Sequence, residues 1–222
     1  MNLLFIGAHG LLGSHLVPSL KKLDGDGTLY PRVFLDAPKR EKVDVTKPFK
    51  IPFAITEKKY DLIIHAAAYV DVQKAEIEKR ECFTVNVQGT INLIDTFPEV
   101  PIVYISSEYA HNPVNYYSET KLAGETVVKA LAKNYLIIRT LFKKSPFPYA
   151  KAFKDQMTQG DYVDVIAPMI AQQIVDWKFD NKTIYIGTGR KTMFDLAKRT
   201  RPDIESCSVK DVSGVRLPQD CE

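Results

Sequence analysis

Residues 2–13 read NLLFIGAHGLLG, a short uncharged run followed by glycines at positions 7, 10 and 13. The run Asn2 to Ile6 lacks polar alternation and is bounded by glycine, as expected of a strand buried on both faces. Beyond it, Leu11 to Lys22 carries apolar residues at helical spacing, with Pro18 expected to kink or loosen the helix. A glycine loop between an opening strand and a helix is suited to the pyrophosphate of a dinucleotide. Gly7 permits the tight turn, Gly10 lets phosphate approach the backbone, and Gly13 lets helix and strand pack closely. The helix N-terminus adds amide donors and the positive end of its dipole. The spacing is GxxGxxG rather than GxGxxG, so placement carries more of this reading than the triplet does. His9, inside the loop, either touches phosphate or fills the turn.

Further along, short β-like runs alternate with helical stretches. Strands are expected at Val33 to Asp36, Lys42 to Val45, Asp61 to His65, Pro101 to Ser106 and Tyr135 to Arg139. Helices are expected over about Val72 to Phe97, with an interruption, and over Tyr116 to Lys133. Buried strands separated by helices require a parallel sheet, and right-handed crossovers make it doubly wound. The fold class is therefore α/β, a Rossmann-type doubly wound parallel sheet over residues 1–142. After Arg139 the rhythm weakens, and KKSPFPY (Lys143 to Tyr149) is expected to leave the sheet. Residues 143–222 offer helices near Ala150 to Met157, Ala167 to Phe179 and Thr192 to Arg199, and a strand at Lys182 to Ile186. They are expected to form a small, reduced substrate-binding cap rather than an independent domain.

The bulk properties narrow the function. A chain of 222 residues with 45% hydrophobic and 26% charged residues is an ordinary globular composition. Its net charge of +3 comes from scattered basic residues, which argues against nucleic acid as a partner. No run approaches the ~18 apolar residues of a membrane span, and the opening residues read as a strand rather than a signal peptide. The three cysteines, Cys82, Cys207 and Cys221, form no disulfide framework or zinc pattern, and a reducing cytoplasm is the simpler setting. His15, His65 and His111 show no metal-ligand spacing, so no metal is expected. Trp177 reads as packing, and the charged stretch Glu76 to Glu81 as a solvated helix face.

Two sets of polar residues fit a nicotinamide cofactor. Asp36, after the second strand, stands where a carboxylate meets the adenosine ribose, which favours NAD. Lys39 and Arg40 just beyond it suit the 2′-phosphate of NADP, so NAD(H) and NADP(H) both stay open. Tyr117 and Lys121 are four residues apart and share one helix face. Ser106 and Ser107 end the preceding strand, where ligands of open α/β sheets bind. A tyrosine with a pKa of ~10 needs help to exchange protons at neutral pH, and the Lys121 ammonium is expected to favour its phenolate. A serine hydroxyl can hold a carbonyl oxygen. Tyr116 is the poorer candidate, because Thr120 stands at its +4 position.

The chain resembles the extended short-chain dehydrogenase/reductases, and within them the dTDP-4-dehydrorhamnose reductase family. The resemblance rests on the glycine loop, DVTKP (Asp44 to Pro48), HAAAYVDVQKAE (His65 to Glu76), VNVQGT (Val85 to Thr90), ISSEYA (Ile105 to Ala110), YSETKLAGE (Tyr117 to Glu125) and LIIRT (Leu136 to Thr140). It implies Tyr117 as proton donor, Lys121 as its partner and Ser107 as the hydroxyl beside it. It also implies pyrophosphate at Gly7, Gly10 and Gly13, lined by Leu11 and Leu12. Asp44 and Val45 would lie by the adenine, Ala66, Ala67 and Ala68 beneath the cofactor, and Val70, Glu108 and Tyr109 on the sugar side. Asn86 resembles the family's supporting helix asparagine. His65, Gln73, Glu108 and Phe142 depart from the family's asparagine, two aspartates and tryptophan, and the C-terminal region is shorter.

The resemblance implies an NAD(P)H-dependent reductase of a 4-keto-6-deoxy nucleotide sugar in deoxysugar biosynthesis. The alternatives are a nucleotide-sugar epimerase or dehydratase, and a non-catalytic regulatory module on the same scaffold. A dehydratase usually places an acid–base pair beside the serine, and Ser107-Glu108 supplies one carboxylate. Helices flanking such sheets often pair, which leaves room for a homodimer.

Overall fold

The computed structural model describes residues 1–24, 34–47, 53–56 and 58–220. Strand β1 (Asn2–Ile6) leads into α1 (Leu11–Asp24), β2 (Phe34–Asp36), α2 (Phe53–Thr56), β3 (Leu62–His65), α3 (Val72–Ala75) and α4 (Lys79–Phe83). A π-helical turn, Thr84–Gln88, joins α4 to α5 (Gly89–Thr96), followed by β4 (Ile102–Ile105), α6 (Tyr116–Leu131) and β5 (Tyr135–Arg139). Then come β6 (Phe142–Lys143), β7 (Lys151–Phe153), β8 (Met157–Thr158), β9 (Asp161–Tyr162), α7 (Val163–Asp176) and β10 (Lys182–Tyr185). The last elements are β11 (Lys191–Thr192), α8 (Met193–Lys198) and β12 (Glu205–Cys207).

Six parallel strands form the main sheet in the order β2-β1-β3-β4-β5-β10. The chain reverses its direction of travel between β1 and β3, so a crevice opens there at the carboxyl ends of the strands. The strand sequences explain why both faces are covered. Leu3 and Phe5 join Leu62, Ile64, Val103, Ile105, Leu136 and Ile138 on one face. Leu4 and Ile6 join Ile63, Ile102, Tyr104 and Ile137 on the other. Successive side chains of a strand point to opposite faces, so an unbroken apolar run fits a sheet with helices on both sides. On the first face, Leu12, Leu16 and Leu20 of α1 recur every four residues and pack with Ile166, Ile170 and Ile174 of α7. Leu93, Ile94 and Val128, from α5 and α6, cover the second.

Several expectations change. Lys42 to Val45 is not a strand: Lys42 N and Val43 N both donate to Lys39 O, at 2.9 and 3.0 Å. The Asp44 carboxylate accepts from Thr46 N and Thr46 Oγ1 at 3.1 and 2.7 Å. This local turn draws the backbone away from a sheet ladder. The sheet is therefore doubly wound with only β1 and β2 on one side of the switch point, and lacks the third strand that this stretch is expected to supply. Ala150 to Met157 is not a helix. It holds β7 and β8, which pair with β12 and β11, so tertiary pairing overrides the helical spacing. Val33 of the second strand lies outside the described residues. Helix α1 continues through Pro18. The region Val72 to Phe97 is divided, as expected, into α3, α4, the π-helical turn and α5.

Helix α7 and strand β10 follow residue 142, yet they belong to the main sheet: β10 pairs with β5 and α7 lies against α1. The rest of the C-terminal half gathers around a third cluster of Tyr109, Leu141, Phe147, Ala152, Tyr162, Met193, Leu196, Ala197 and Ile204. No helix among the described residues is long and apolar enough to cross a membrane.

Candidate active site

The glycine loop sits at the mouth of the crevice. Gly7 has φ +94°, and a Cβ there would lie 2.6 Å from Ala66 C and Ala67 N. A Cβ on Gly13 would lie 2.3 Å from Ala8 O. Both glycines are therefore demanded by the protein's own packing, and Ala66 and Ala67 wall the loop from β3. Gly10 differs: a Cβ there would meet only Gly7 O, at 3.3 Å. The space over Gly10 and the adjacent start of α1 fit a pyrophosphate, so the residues present suit a dinucleotide. Leu12 is buried beneath the loop, whereas Leu11 is exposed at its rim. Ala68 follows on the same segment, half-buried.

At the end of β2, Asp36 pairs in register with Leu4, and its Oδ2 accepts from Lys58 Nζ at 2.7 Å and Tyr60 OH at 2.8 Å. Partial burial pushes this carboxyl up, but the bonds from Lys58 and Tyr60 outweigh it and hold the group below its ordinary range. Asp36 is thus already engaged by the protein. The next residue reaches the glycine loop, with His9 Nε2 3.0 Å from Ala37 O, so His9 ties two loops together. Arg40 is exposed and lines an open concavity with Thr46, Thr84 and Val85. Val45 is buried, its methyls fill the space beside Gly89, and its carbonyl accepts from Asn92 Nδ2 at 2.7 Å.

Ser107, Tyr117 and Lys121 come together at the carboxyl end of β4. A capping box starts α6: Asn115 Oδ1 accepts from Ser118 N at 2.9 Å, and Ser118 Oγ accepts from Asn115 N at 3.1 Å. This fixes Tyr117 in the first turn and Lys121 one turn later. Ser107 caps a 3-10 turn over Glu108–Ala110, accepting from Tyr109 N at 3.2 Å. Burial pushes the Tyr117 phenol up to about 12, and a hydrogen bond with Ser107 works against that rise. Ser106 is committed elsewhere, since its hydroxyl donates to Glu125 Oε1 at 2.7 Å.

Lys121 departs from expectation. Its ammonium donates to Tyr104 OH at 3.0 Å and to Ile105 O at 2.8 Å, and it does not lower Tyr117. Burial drives Lys121 down to about 7, against the opposing pull of Glu125. Of the three residues expected on the sugar side, Val70 is exposed, while Glu108 and Tyr109 are buried. Glu108 Oε1 accepts from Thr158 Oγ1 at 2.6 Å, and Tyr109 OH accepts from Gln156 Nε2 at 3.1 Å.

Other polar groups went unread in the sequence. Glu125, with a side chain 0% exposed, forms a two-pronged pair with Arg139: Nε to Oε1 at 2.8 Å and Nη2 to Oε2 at 2.7 Å. Asn86, by contrast, is the residue that the sequence resemblance implies as a supporting helix asparagine; in the π-helical turn it accepts from Tyr69 N at 2.8 Å and donates to Thr120 Oγ1 at 2.9 Å. It thereby ties the loop after β3 to α6. Tyr104 and Thr90 carry no sequence motif of their own, and His65 stands out in the sequence only as a departure from the family's asparagine and as a histidine without metal-ligand spacing. A tyrosine inside a buried strand was the available signal, because a buried phenol needs a partner.

A glycine-lined crevice at the strand ends of a parallel sheet, with serine, tyrosine and lysine near the end of β4, defines a Rossmann-type α/β protein with a candidate active site. Residues 1–174 match the model of the RmlD substrate binding domain, and the chain belongs to that family. A dTDP-4-dehydrorhamnose reductase of Aggregatibacter actinomycetemcomitans is 30% identical over 154 residues, covering 62% of this chain and 50% of that protein. The chain thus spans about half the length of that curated relative. Among solved structures, a dTDP-4-dehydrorhamnose reductase of Clostridium acetobutylicum superposes with a TM-score of 0.83 at 22% identity, covering 100% of this chain and 89% of that one. A dTDP-4-dehydrorhamnose reductase of Bacillus anthracis, in complex with NADP, gives 0.82 at 22% identity, covering 99% and 89%. At that identity these two structures speak for the fold.

Proposed function

We propose that this chain is an NAD(P)H-dependent reductase of a 4-keto-6-deoxy nucleotide sugar, acting in deoxysugar biosynthesis. The observation that carries the reading is the meeting of Ser107, Tyr117 and Lys121 at the strand ends beside the glycine loop. The names of the Aggregatibacter and Clostridium relatives supply the substrate class. The NADP complex of the Bacillus anthracis protein supplies a cofactor of the right type. Bound NAD(P)H supplies the hydride that reduces the sugar's carbonyl carbon.

The chain's own residues do the rest. Gly7, Gly10 and Gly13, with Leu11 and Leu12, hold the pyrophosphate against the amides of α1. Ala66, Ala67 and Ala68 floor the cofactor, while Asp36, Arg40, Asp44 and Val45 line its adenosine end. Ser107 donates a hydrogen bond to the carbonyl oxygen. Tyr117, protonated throughout the neutral range, delivers its proton to that oxygen as negative charge develops on it. Lys121, anchored at the end of β4, holds the nicotinamide ribose. Val70, Glu108 and Tyr109, with the elements around the third cluster, wall the sugar side. We assign residues 143–162 and 186–220 to that wall.

The dehydratase reading is disfavoured by Glu108, whose buried carboxylate is held by the Thr158 hydroxyl instead of standing free beside Ser107. The test is to mix the protein with a dTDP-4-keto-6-deoxyhexose and NADPH or NADH and follow loss of the nicotinamide absorbance. Oxidation by the wild type that disappears in Tyr117→Phe is the expected result. Cofactor binding without oxidation of either nucleotide would favour a non-catalytic module.

A further inference from the structure

Lys121 crosses the end of β4 with the residue 2% exposed, and its ammonium rests on two oxygens. One is the carbonyl of Ile105, at 2.8 Å, and the other is the phenol of Tyr104, at 3.0 Å. Tyr104 is 1% exposed, and the lysine nitrogen also stands 4.3 Å from the centre of its ring. The phenol has little freedom. Its ring is tilted against His65 at 5.6 Å, and its hydroxyl faces Thr90. A Cβ on Gly124 would come within 2.3 Å of the Tyr104 oxygen. Glycine in the interior of a helix is unfavourable relative to alanine; at this position it leaves the room that the phenol occupies.

Counting protons gives the network its direction. The single proton of the Thr90 hydroxyl goes to Asn86 O, at 2.8 Å. His65 Nε2, 3.1 Å from the same oxygen, must therefore donate to it, which leaves Nδ1 bare. That Nδ1 is buried and has no partner among the described residues. His65 is consequently a neutral anchor and not a second base; burial, then the nearby Lys121, push it down to about 3. Burial keeps Tyr104 neutral as well, so it acts on the ammonium as a fixed acceptor.

We propose that Tyr104 is a positioning residue for Lys121, anchoring its ammonium at the end of β4, where the lysine is to hold the cofactor ribose. This inference rests on the reductase reading of Lys121. Its physical core, an acceptor that stabilises the charged lysine, can be measured without turnover. Among the described residues, the titratable groups facing Lys121 are Glu125 from α6, Cys82 from α4, His65 from β3 and Tyr104 itself. Tyr104→Phe changes only the last of these and keeps the buried ring. Removing an acceptor from an ammonium disfavours the charged form, so the titration midpoint of Lys121 must fall.

The experiment is an NMR titration of the lysine side-chain signals in the full chain, with the Lys121 signal identified by its loss in Lys121→Ala. The midpoint is expected to fall in Tyr104→Phe. It should also fall in Gly124→Ala, where the phenol is displaced rather than removed. In parallel, NADPH affinity should drop by about tenfold in Tyr104→Phe, the scale of a hydrogen bond to a charged group. The drop should vanish in the Lys121→Ala background. An unchanged midpoint in Tyr104→Phe, or an equal loss of affinity with and without Lys121, overturns the proposal. Failure of the wild type to bind either nucleotide sinks the reductase reading instead, and a shifted midpoint would then still establish the hold of Tyr104 on Lys121.

Discussion

Lys121 links stability to pH in a direction unusual for a lysine. Its ordinary value of 10.5 falls to about 7 in the folded chain, chiefly through burial. Between those values the unfolded chain binds more protons than the native one, so stability rises with pH across that window. The contribution is fully present above the unfolded value and is lost as pH falls through about 7. Lys121→Met removes the effect. The stability difference between wild type and variant should therefore change by about 1 kcal/mol per pH unit from neutral to mildly alkaline conditions, read by denaturant unfolding. For Tyr117→Phe, kcat should fall by about 10²- to 10⁴-fold with cofactor affinity nearly unchanged, the signature of a lost proton donor. At this scale the sequence was informative where a residue's chemistry is local. The spacing of Tyr117 and Lys121, and the different demands on Gly7 and Gly13, follow from one helix and one turn. The partner of Lys121 was not legible, because Tyr104 lies 17 residues away and meets it only through the sheet. The partners of Asp36 were hidden for the same reason: Lys58 and Tyr60, which hold it, precede the next strand.

Among the elements, α6 and β5 are clamped by Glu125 and Arg139. The carboxylate is fully buried and the guanidinium nearly so, and Ser106 adds a third bond. Glu125→Ala leaves a buried cation without its partner and should cost about 3–5 kcal/mol in denaturant unfolding. Helix α7 makes a second test, since Ile170 is completely buried against α1. Ile170→Ala should cost about 2–5 kcal/mol, although this helix lies beyond the stretch first expected to complete the sheet. Strands β1, β3, β4 and β5 were legible because burial on both faces leaves a plain apolar run. Lys42 to Val45 was misread because the Asp44 side chain closes its own turn. The stretch at 150–157 was misread because strands two or three residues long are specified by their partners and have no period of their own.

For the molecule as a whole, the central claim is that the crevice between β1 and β3 holds a nicotinamide dinucleotide by its pyrophosphate. Gly10 isolates that claim from folding. Gly7 and Gly13 cannot accept a side chain without backbone clashes, whereas a methyl at Gly10 meets only one carbonyl oxygen at 3.3 Å. Gly10→Ala should leave the thermal midpoint nearly unchanged while crowding the phosphates. The direct measurement is equilibrium binding of NADPH and NADH to wild type and Gly10→Ala, with Tm recorded for both. Binding of at least one nucleotide by the wild type, weakened by about tenfold or more in a variant of equal Tm, is the predicted result. No binding of either nucleotide by the wild type, or equal binding by both proteins, would contradict the account.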